Sequence, residues 1–271
     1  MELSGLETRP RRSRRASSGP HRISATDSTR RWAPTRRTPP SSSTSTSCRT
    51  PRSTSSSTTS KTSSASTSGK PGPTAFVVGG VHGEEPQGYH AADQLRHLRP
   101  TGGKLVVVPY ANVPAISIGA RYTEDGDLNR QFPTGANPTS RLARALWDEL
   151  QSHDPDVVVD LHSSSGIYKY DGKVGQAVFP TRATPMNAVN ACDYVNEQYI
   201  DLSEYPSHYD FDCGNSLDGS RPLFIHKAYG DLHLPGYLVE TTRKGTTLED
   251  AVTWEVAVAR DLLWQHGVYH G

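Results

Sequence analysis

"VVGGVHGEEPQG", residues 77–88, closes a run of valines with two glycines and then presents one histidine and two glutamates. The apolar run leading into it, "TAFVVGG" at 74–80, has a counterpart in "KLVVVPYANV" at 104–113. Continuous apolar runs of this kind belong to strands covered on both faces. Between them, "PQGYHAADQLRHL" (86–98) spaces Ala91, Leu95 and Leu98 helically, and Pro86 suits a first helical turn. Strand, helix and strand over about forty residues form a βαβ unit.

The rest of the chain repeats that alternation. "SRLARALWDELQSH" (140–153) reads as an amphipathic helix, and "PDVVVDLHSSSG" (155–166) as a third buried strand with a polar end. "QAVFP" (176–180) reads as a fourth strand and "TPMNAVNACDYVNEQYI" (184–200) as another helix. "PLFIHKAY" (222–229) and "GYLVETT" (236–242) read as strands, and "TLEDAVTWEVAVARDLLWQHG" (247–267) as a long last helix. Glu249 and Asp250 near its start favour the helix dipole. The pattern predicts an α/β fold, a three-layer sandwich around a mixed, largely parallel central sheet.

Composition divides the 271 residues in two. Residues 1–72 are rich in Ser, Thr, Arg and Pro without apolar periodicity, so a disordered tail is expected there. A start codon set too early is the alternative origin of that segment. The tail holds 14 Lys and Arg against 3 Asp and Glu, whereas residues 73–271 hold 15 against 25. The net charge of +1 is therefore a cancellation between a basic tail and an acidic folded part. Trp32 is the only aromatic residue among the tail arginines, which argues against specific nucleic-acid recognition. No apolar h-region follows those arginines, and no run approaches the length of a membrane span, so neither export nor membrane insertion is expected. Three cysteines without a C-x-x-C spacing point to a reduced, cytoplasmic setting. Nothing in the chain indicates its oligomeric state.

In open α/β sheets, sites lie outside the carboxyl ends of the strands. Three polar clusters fall there: His82 and Glu85 after the first strand, His162 after "VVVDL", and Glu240 closing "GYLVE". H-x-x-E alone is a weak signal; His90 with Asp93 and His153 with Asp156 have similar spacing and read as surface residues. "HGEE" also fits a helix N-terminus whose acids complement the dipole. His162 favours a metal instead, because two imidazoles and one carboxylate with an open position make a catalytic zinc site. Asp160 reads equally as a partner of His162 or as a structural carboxylate. In "ARYTEDGDLNRQFP" (120–133), Arg121, Asn129 and Arg130 offer a grip for a substrate carboxylate, against the alternative of a solvated charged loop.

"GGVHGEE", "DGDLNRQFP", "VVVDLHS" and "GYLVETT" together resemble the ordered motifs of the succinylglutamate desuccinylase/aspartoacylase family, a group of zinc carboxypeptidase-like amidohydrolases. The resemblance spans roughly residues 74–266. It implies His82, Glu85 and His162 as ligands of one Zn2+ per chain, and Asn129 with Arg130 as the holders of a substrate carboxylate. It further implies Arg121 as the group polarising the scissile carbonyl and Glu240 as the base that activates water. Two departures stand out. Only 31 residues follow Glu240, where the family proper carries a β-rich domain. The family's substrate-binding Tyr/Arg pair upstream of the base has no clean match, with Arg221, Tyr229 and Tyr237 as candidates. The expected activity is hydrolysis of the amide of an N-acyl amino acid or similar small carboxylate-bearing substrate. The alternatives are a metallocarboxypeptidase acting on short peptides and a non-catalytic metal- or ligand-binding relative.

Overall fold

The structure, a computed structural model, describes residues 63–269. Its centre is a seven-stranded sheet: β1 (Ser64–Thr67), β2 (Thr74–Gly79), β3 (Lys104–Val108), β4 (Val157–Ser164), β5 (Ala177–Pro180), β6 (Asp212–Cys213) and β7 (Gly236–Thr242). They lie in the order β1-β3-β2-β4-β7-β5-β6. The heart, β3-β2-β4-β7, is parallel, while β1 pairs with β3 and β5 with β7 antiparallel. The fold is thus the expected α/β sandwich with a mixed sheet.

Alternate residues of the buried strands feed two cores. Val77, Val159 and Val239 face α1 (Pro86–Leu95), α4 (Pro185–Gln198) and α6 (Leu248–Gln265). Phe76, Val78 and Val158 face α3 (Arg141–His153) and α5 (Phe224–Leu232). The short α2 (Val113–Ser117) follows β3. Alternation therefore sends Asp160 and His162 of β4 to the α3/α5 side, and their neighbours Val159 and Leu161 to the other.

Three expectations need correction. Ser64–Thr67, read as tail, is an edge strand in register with β3, from Ser64 opposite Val107 to Thr67 opposite Lys104. An edge strand gains its order from ladder hydrogen bonds to an existing sheet, so it needs no apolar periodicity of its own. The rest of the expected tail lies outside the described residues. "PLFIHKAY" forms the start of α5 rather than a strand. Its polar members His226 and Lys227 are buried along with Phe224, Ile225 and Ala228, which erases the amphipathic signature. Finally, "KLVVVPYANV" leaves the sheet after Val108, ahead of Pro109, and Asn112 caps α2 by accepting from Ala115 N at 3.2 Å.

Candidate metal centre

The turn after β2 delivers two of the polar side chains. Gly80 takes a left-handed φ of 70°, and a Cβ on Gly83 would overlap the Ala115 carbonyl. Glycine alone fits both demands, and the chain between them turns His82 inward. Glu85 precedes Pro86 at the N-terminus of α1 but makes no side-chain cap there. Its carboxylate turns instead to the two imidazoles: Oε1 lies 2.9 Å from His82 Nδ1 and Oε2 lies 2.7 Å from His162 Nδ1. Ser163 N donates to the same Oε2 at 3.2 Å. One ligand atom from each of His82, Glu85 and His162 falls within 4.8 Å of the others, and all three residues are buried.

Both imidazoles are held from behind. His82 Nε2 lies 2.9 Å from Asp127 Oδ1. Asp160 Oδ1 sits 3.1 Å from His162 Nε2, close enough for ion pairing although not aligned as a hydrogen bond. A carboxylate on the far nitrogen fixes the ring and leaves the near nitrogen free for a metal. Asp160, two residues before His162 on the same face of β4, therefore stands beside the ring rather than apart from it.

Charge supports the same assignment. Glu85, Asp127 and Asp160 surround the imidazoles, with Arg121 as the nearby cation. Two neutral imidazoles would leave this cluster with excess negative charge, and Asp160 is fully buried with neither oxygen hydrogen-bonded among the described residues. Uncompensated buried carboxylates are expensive. A divalent cation among His82, Glu85 and His162 would offset that charge, so the residues fit a metal. Burial by itself would raise the Glu85 carboxyl, but the His162 charge and hydrogen bonds from both rings hold it well below the usual range. Burial opposes charge on His162, yet Asp160 and Glu85 lift its pKa well above the ordinary value.

Glu240 stands beside this cluster because β4 and β7 pair in register, His162 opposite Glu240. Burial, then repulsion from Glu85, pushes its carboxyl up to about 8. The neighbouring cations do not claim it: Arg243 donates to the Glu84 carbonyl and Lys244 pairs with Asp171.

The 120–133 loop closes the other side. Arg121 donates from Nε to Asp127 Oδ2 and from Nη1 to Glu85 Oε1, both at 3.1 Å. Asp127, which no motif or spacing singles out within its loop, also accepts from Asn129 N at 2.9 Å. Burial opposes the charge on Asp127, but the His82 hydrogen bond and nearby positive charges hold its pKa at about 2. Asn129 and Arg130 then part company. Arg130 is exposed, donates to its own neighbour's carbonyl, and has no carboxylate partner among the described residues. Asn129 is buried; its Oδ1 accepts from Phe224 N at 2.9 Å and its Nδ2 lies 3.5 Å from His162 Nε2.

Of the candidates for a further substrate-binding pair, Tyr237 is excluded by direction. It is fully buried toward α6, where its hydroxyl meets His266 Nε2 at 2.7 Å. Tyr229 lies on α5 with its ring against His233, and Arg221 is exposed just before that helix. Neither makes a described contact with the cluster. Among the described residues no helix is long and apolar enough to cross a membrane, and Cys192 and Cys213 are unbridged.

Gathered at the carboxyl ends of parallel strands, this cluster lies where open α/β sheets carry their sites. The chain belongs to the succinylglutamate desuccinylase/aspartoacylase family: residues 71–212 match the model of its catalytic domain. A relative described as N-alpha-acetyl-L-2,4-diaminobutyric acid deacetylase, from Halomonas elongata, is 35% identical over 100 residues, 34% of this chain and 29% of that protein. A human N-acyl-aromatic-L-amino acid amidohydrolase (carboxylate-forming) is 27% identical over 142 residues, 47% of this chain and 43% of that protein. The chain thus spans less than half of each curated relative. In fold it is similar to tripeptide-bound Csd4, a cell shape determinant of Helicobacter pylori, with TM-score 0.62 and 17% identity over 76% of this chain and 55% of that one. The product-bound ectoine utilization protein EutE (DoeB) of Ruegeria pomeroyi gives TM-score 0.52 and 23% identity over 74% and 60%.

Proposed function

We propose that this protein is a zinc-dependent hydrolase that cleaves the amide of an N-acyl amino acid or a similar small carboxylate-bearing substrate. The observation that carries the reading is the register of His162 with Glu240, which stands a raised carboxyl beside the His82–Glu85–His162 donor set. Two nitrogens and one carboxylate suit Zn2+, which when bound acts as a Lewis acid on a carbonyl and makes water more acidic. His82, Glu85 and His162 would hold one such ion per chain.

The chain's own groups do the rest. Glu240 takes a proton from the attacking water as its oxygen bonds to the acyl carbon, then delivers that proton to the amine as the carbon–nitrogen bond breaks. A carboxyl tuned upward by burial is better matched to this exchange near neutral pH than an ordinary glutamate. A cation held by His82, Glu85 and His162 would favour the ionised form of Glu240, which therefore enters the cycle as a base. Arg121, already beside Glu85, faces the developing negative charge on the carbonyl oxygen. Arg130, exposed and without a carboxylate of its own among the described residues, grips the substrate carboxylate with its planar fork. Asn129 supports that grip through its backbone while its side chain is engaged within the fold. The catalytic machinery lies in the part of the chain that begins with β1, and unbridged cysteines accord with a cytoplasmic setting.

The test is Glu240→Gln, assayed for bound zinc and for turnover on a panel of N-acyl amino acids and short peptides. Loss of a general base costs about 10²–10⁴ in rate. The variant should be folded, zinc-loaded and nearly inactive. Retention of more than about a tenth of kcat, well outside that range, would refute the mechanism. Preference for peptides over N-acyl amino acids would assign the site to a carboxypeptidase instead.

A further inference from the structure

Gln176 is buried, polar and non-glycine, yet its backbone adopts φ 55°. Residues other than glycine meet steric resistance in this left-handed region, and the strain persists only where surrounding structure holds it. It sits one residue before Ala177, and Ala177 is the antiparallel partner of Glu240. The β5–β7 ladder stops at that pair, whereas β7 continues to Thr242. Beyond Glu240 the strand has β4 on one side only, where Ser163 and Ser164 pair with Thr241 and Thr242.

The side chain of Gln176 supplies the missing side. Its Oε1 accepts from Thr242 N at 3.0 Å, and its Nε2 donates to the Tyr209 carbonyl at 2.7 Å. The left-handed turn makes this substitution of side chain for backbone possible, because it swings the chain off the β7 ladder. The Gln176 carbonyl meanwhile accepts from Asp212 N at 2.9 Å and starts β6. Thr242 is fully buried, so without Gln176 its N–H would have neither water nor a carbonyl. A side chain shorter than glutamine could not span from the turned backbone to β7, and glycine would relieve the turn while leaving Thr242 unmet.

We propose that Gln176 is a positioning residue for Glu240: its amide replaces the absent ladder rung and fixes the end of β7 against the metal ligands. The inference rests on the reading of Glu240 as the base. Misplacement of a reacting group by about 1 Å costs on the order of a hundredfold in rate. Loss of the amide should therefore lower kcat while leaving KM and metal content unchanged, because no substrate- or metal-holding residue touches it.

The decisive variants are Gln176→Gly and Gln176→Glu in the full chain loaded with Zn2+. Gln176→Gly removes the amide but also relieves the strained turn, which favours folding. We expect a tenfold to hundredfold fall in kcat on the best N-acyl amino acid substrate, on the order set by small displacements of catalytic groups, with KM and zinc content preserved. Gln176→Glu keeps the shape, and when protonated it keeps one donor and one acceptor. Once ionised, its carboxylate still accepts from Thr242 N but has no donor for the Tyr209 carbonyl and is repelled by that oxygen, so its kcat relative to wild type should be highest at low pH and fall as the carboxyl ionises. Amide hydrogen exchange over Glu240–Thr242 gives a readout independent of turnover and should quicken in Gln176→Gly. Unchanged exchange there, a kcat within about twofold of wild type and so far short of that displacement range, or no rescue by Gln176→Glu at any pH would overturn the proposal. Turnover retained by Glu240→Gln would instead remove the reading beneath it, whatever the Gln176 variants do.

Discussion

Replacing Asp127 with alanine tests whether one carboxylate joins the proposed metal site to the 120–133 loop. Its Oδ1 meets His82 Nε2 and Asn129 N, each at 2.9 Å, and its Oδ2 accepts from Arg121 Nε at 3.1 Å. Removal of such a partner from a metal-ligating imidazole weakens metal binding about 10–100-fold. That range corresponds to about 1.4–2.7 kcal/mol. The lost cap on the turn at Leu128–Arg130 adds about 1 kcal/mol to the destabilisation, but this acts on folding rather than on the metal. Asp127→Asn keeps both of those contacts and disturbs the third: its amide oxygen still accepts from His82 and Asn129, while its NH2 faces the Arg121 donor and repels it. The expected order of metal affinity is wild type, then Asn, then Ala, with kcat already impaired in Asn through Arg121. Competition for Zn2+ against a chromophoric chelator, with circular dichroism to confirm folding, measures this directly. If Asp127→Ala binds zinc within about twofold of wild type, well below the expected range, Asp127 does not orient His82.

Further substitutions probe neighbouring parts of the site. His162→Ala leaves two protein ligands, so zinc measured by elemental analysis after dialysis should fall well below one per chain; stoichiometric zinc would sink the donor-set assignment. Arg130→Lys keeps the charge but loses the planar fork, so KM should rise with zinc content intact; an unchanged KM would remove Arg130 from substrate binding. Glu255 on α6 is fully buried with Oε1 unpartnered, and burial raises its pKa well above the usual range. A raised acid contributes stability in full below its unfolded pKa of about 4.3 and loses it as pH rises toward the folded value, at up to about 1.4 kcal/mol per pH unit. Glu255→Gln cannot ionise, so its advantage in Tm over wild type should grow as pH rises from the unfolded value of about 4.3 toward the raised folded one. Parallel Tm curves for the two proteins would show that Glu255 is not held neutral.

The residues legible in the sequence are those whose placement follows from local rules. A buried strand ends where its apolar run ends, and in a parallel sheet those ends gather at one edge, so His82, Glu85, His162 and Glu240 meet without knowledge of the tertiary structure. The His162–Glu240 register was not itself readable, but β4 and β7 are both buried on two faces and share that edge. Local rules misread α5 because its buried face includes Lys227. Its Nζ is satisfied by the Pro133 and Ala136 carbonyls and by Asp231, partners that no window of sequence around residue 227 can supply in full.

Asn129 shows where the limit lies within the site itself. Motif and charge place it beside Arg130, and the pair reads as a single grip on a carboxylate. The fold divides them because the 3-10 turn at Leu128–Arg130 sends adjacent side chains in different directions. One guanidinium reaches solvent, while the amide is drawn inside by Phe224 N at the start of α5. That hydrogen bond fixes which end of the amide faces His162, and so puts Nδ2 rather than Oδ1 toward the ring. The amide thereby links α5 to His162, a proposed metal ligand, and the helix misread as a strand is the element that anchors it. The error in secondary structure and the missed role of Asn129 therefore share one physical cause: both depend on backbone donors and acceptors about ninety residues apart, a non-local pairing that hydrophobic periodicity does not encode.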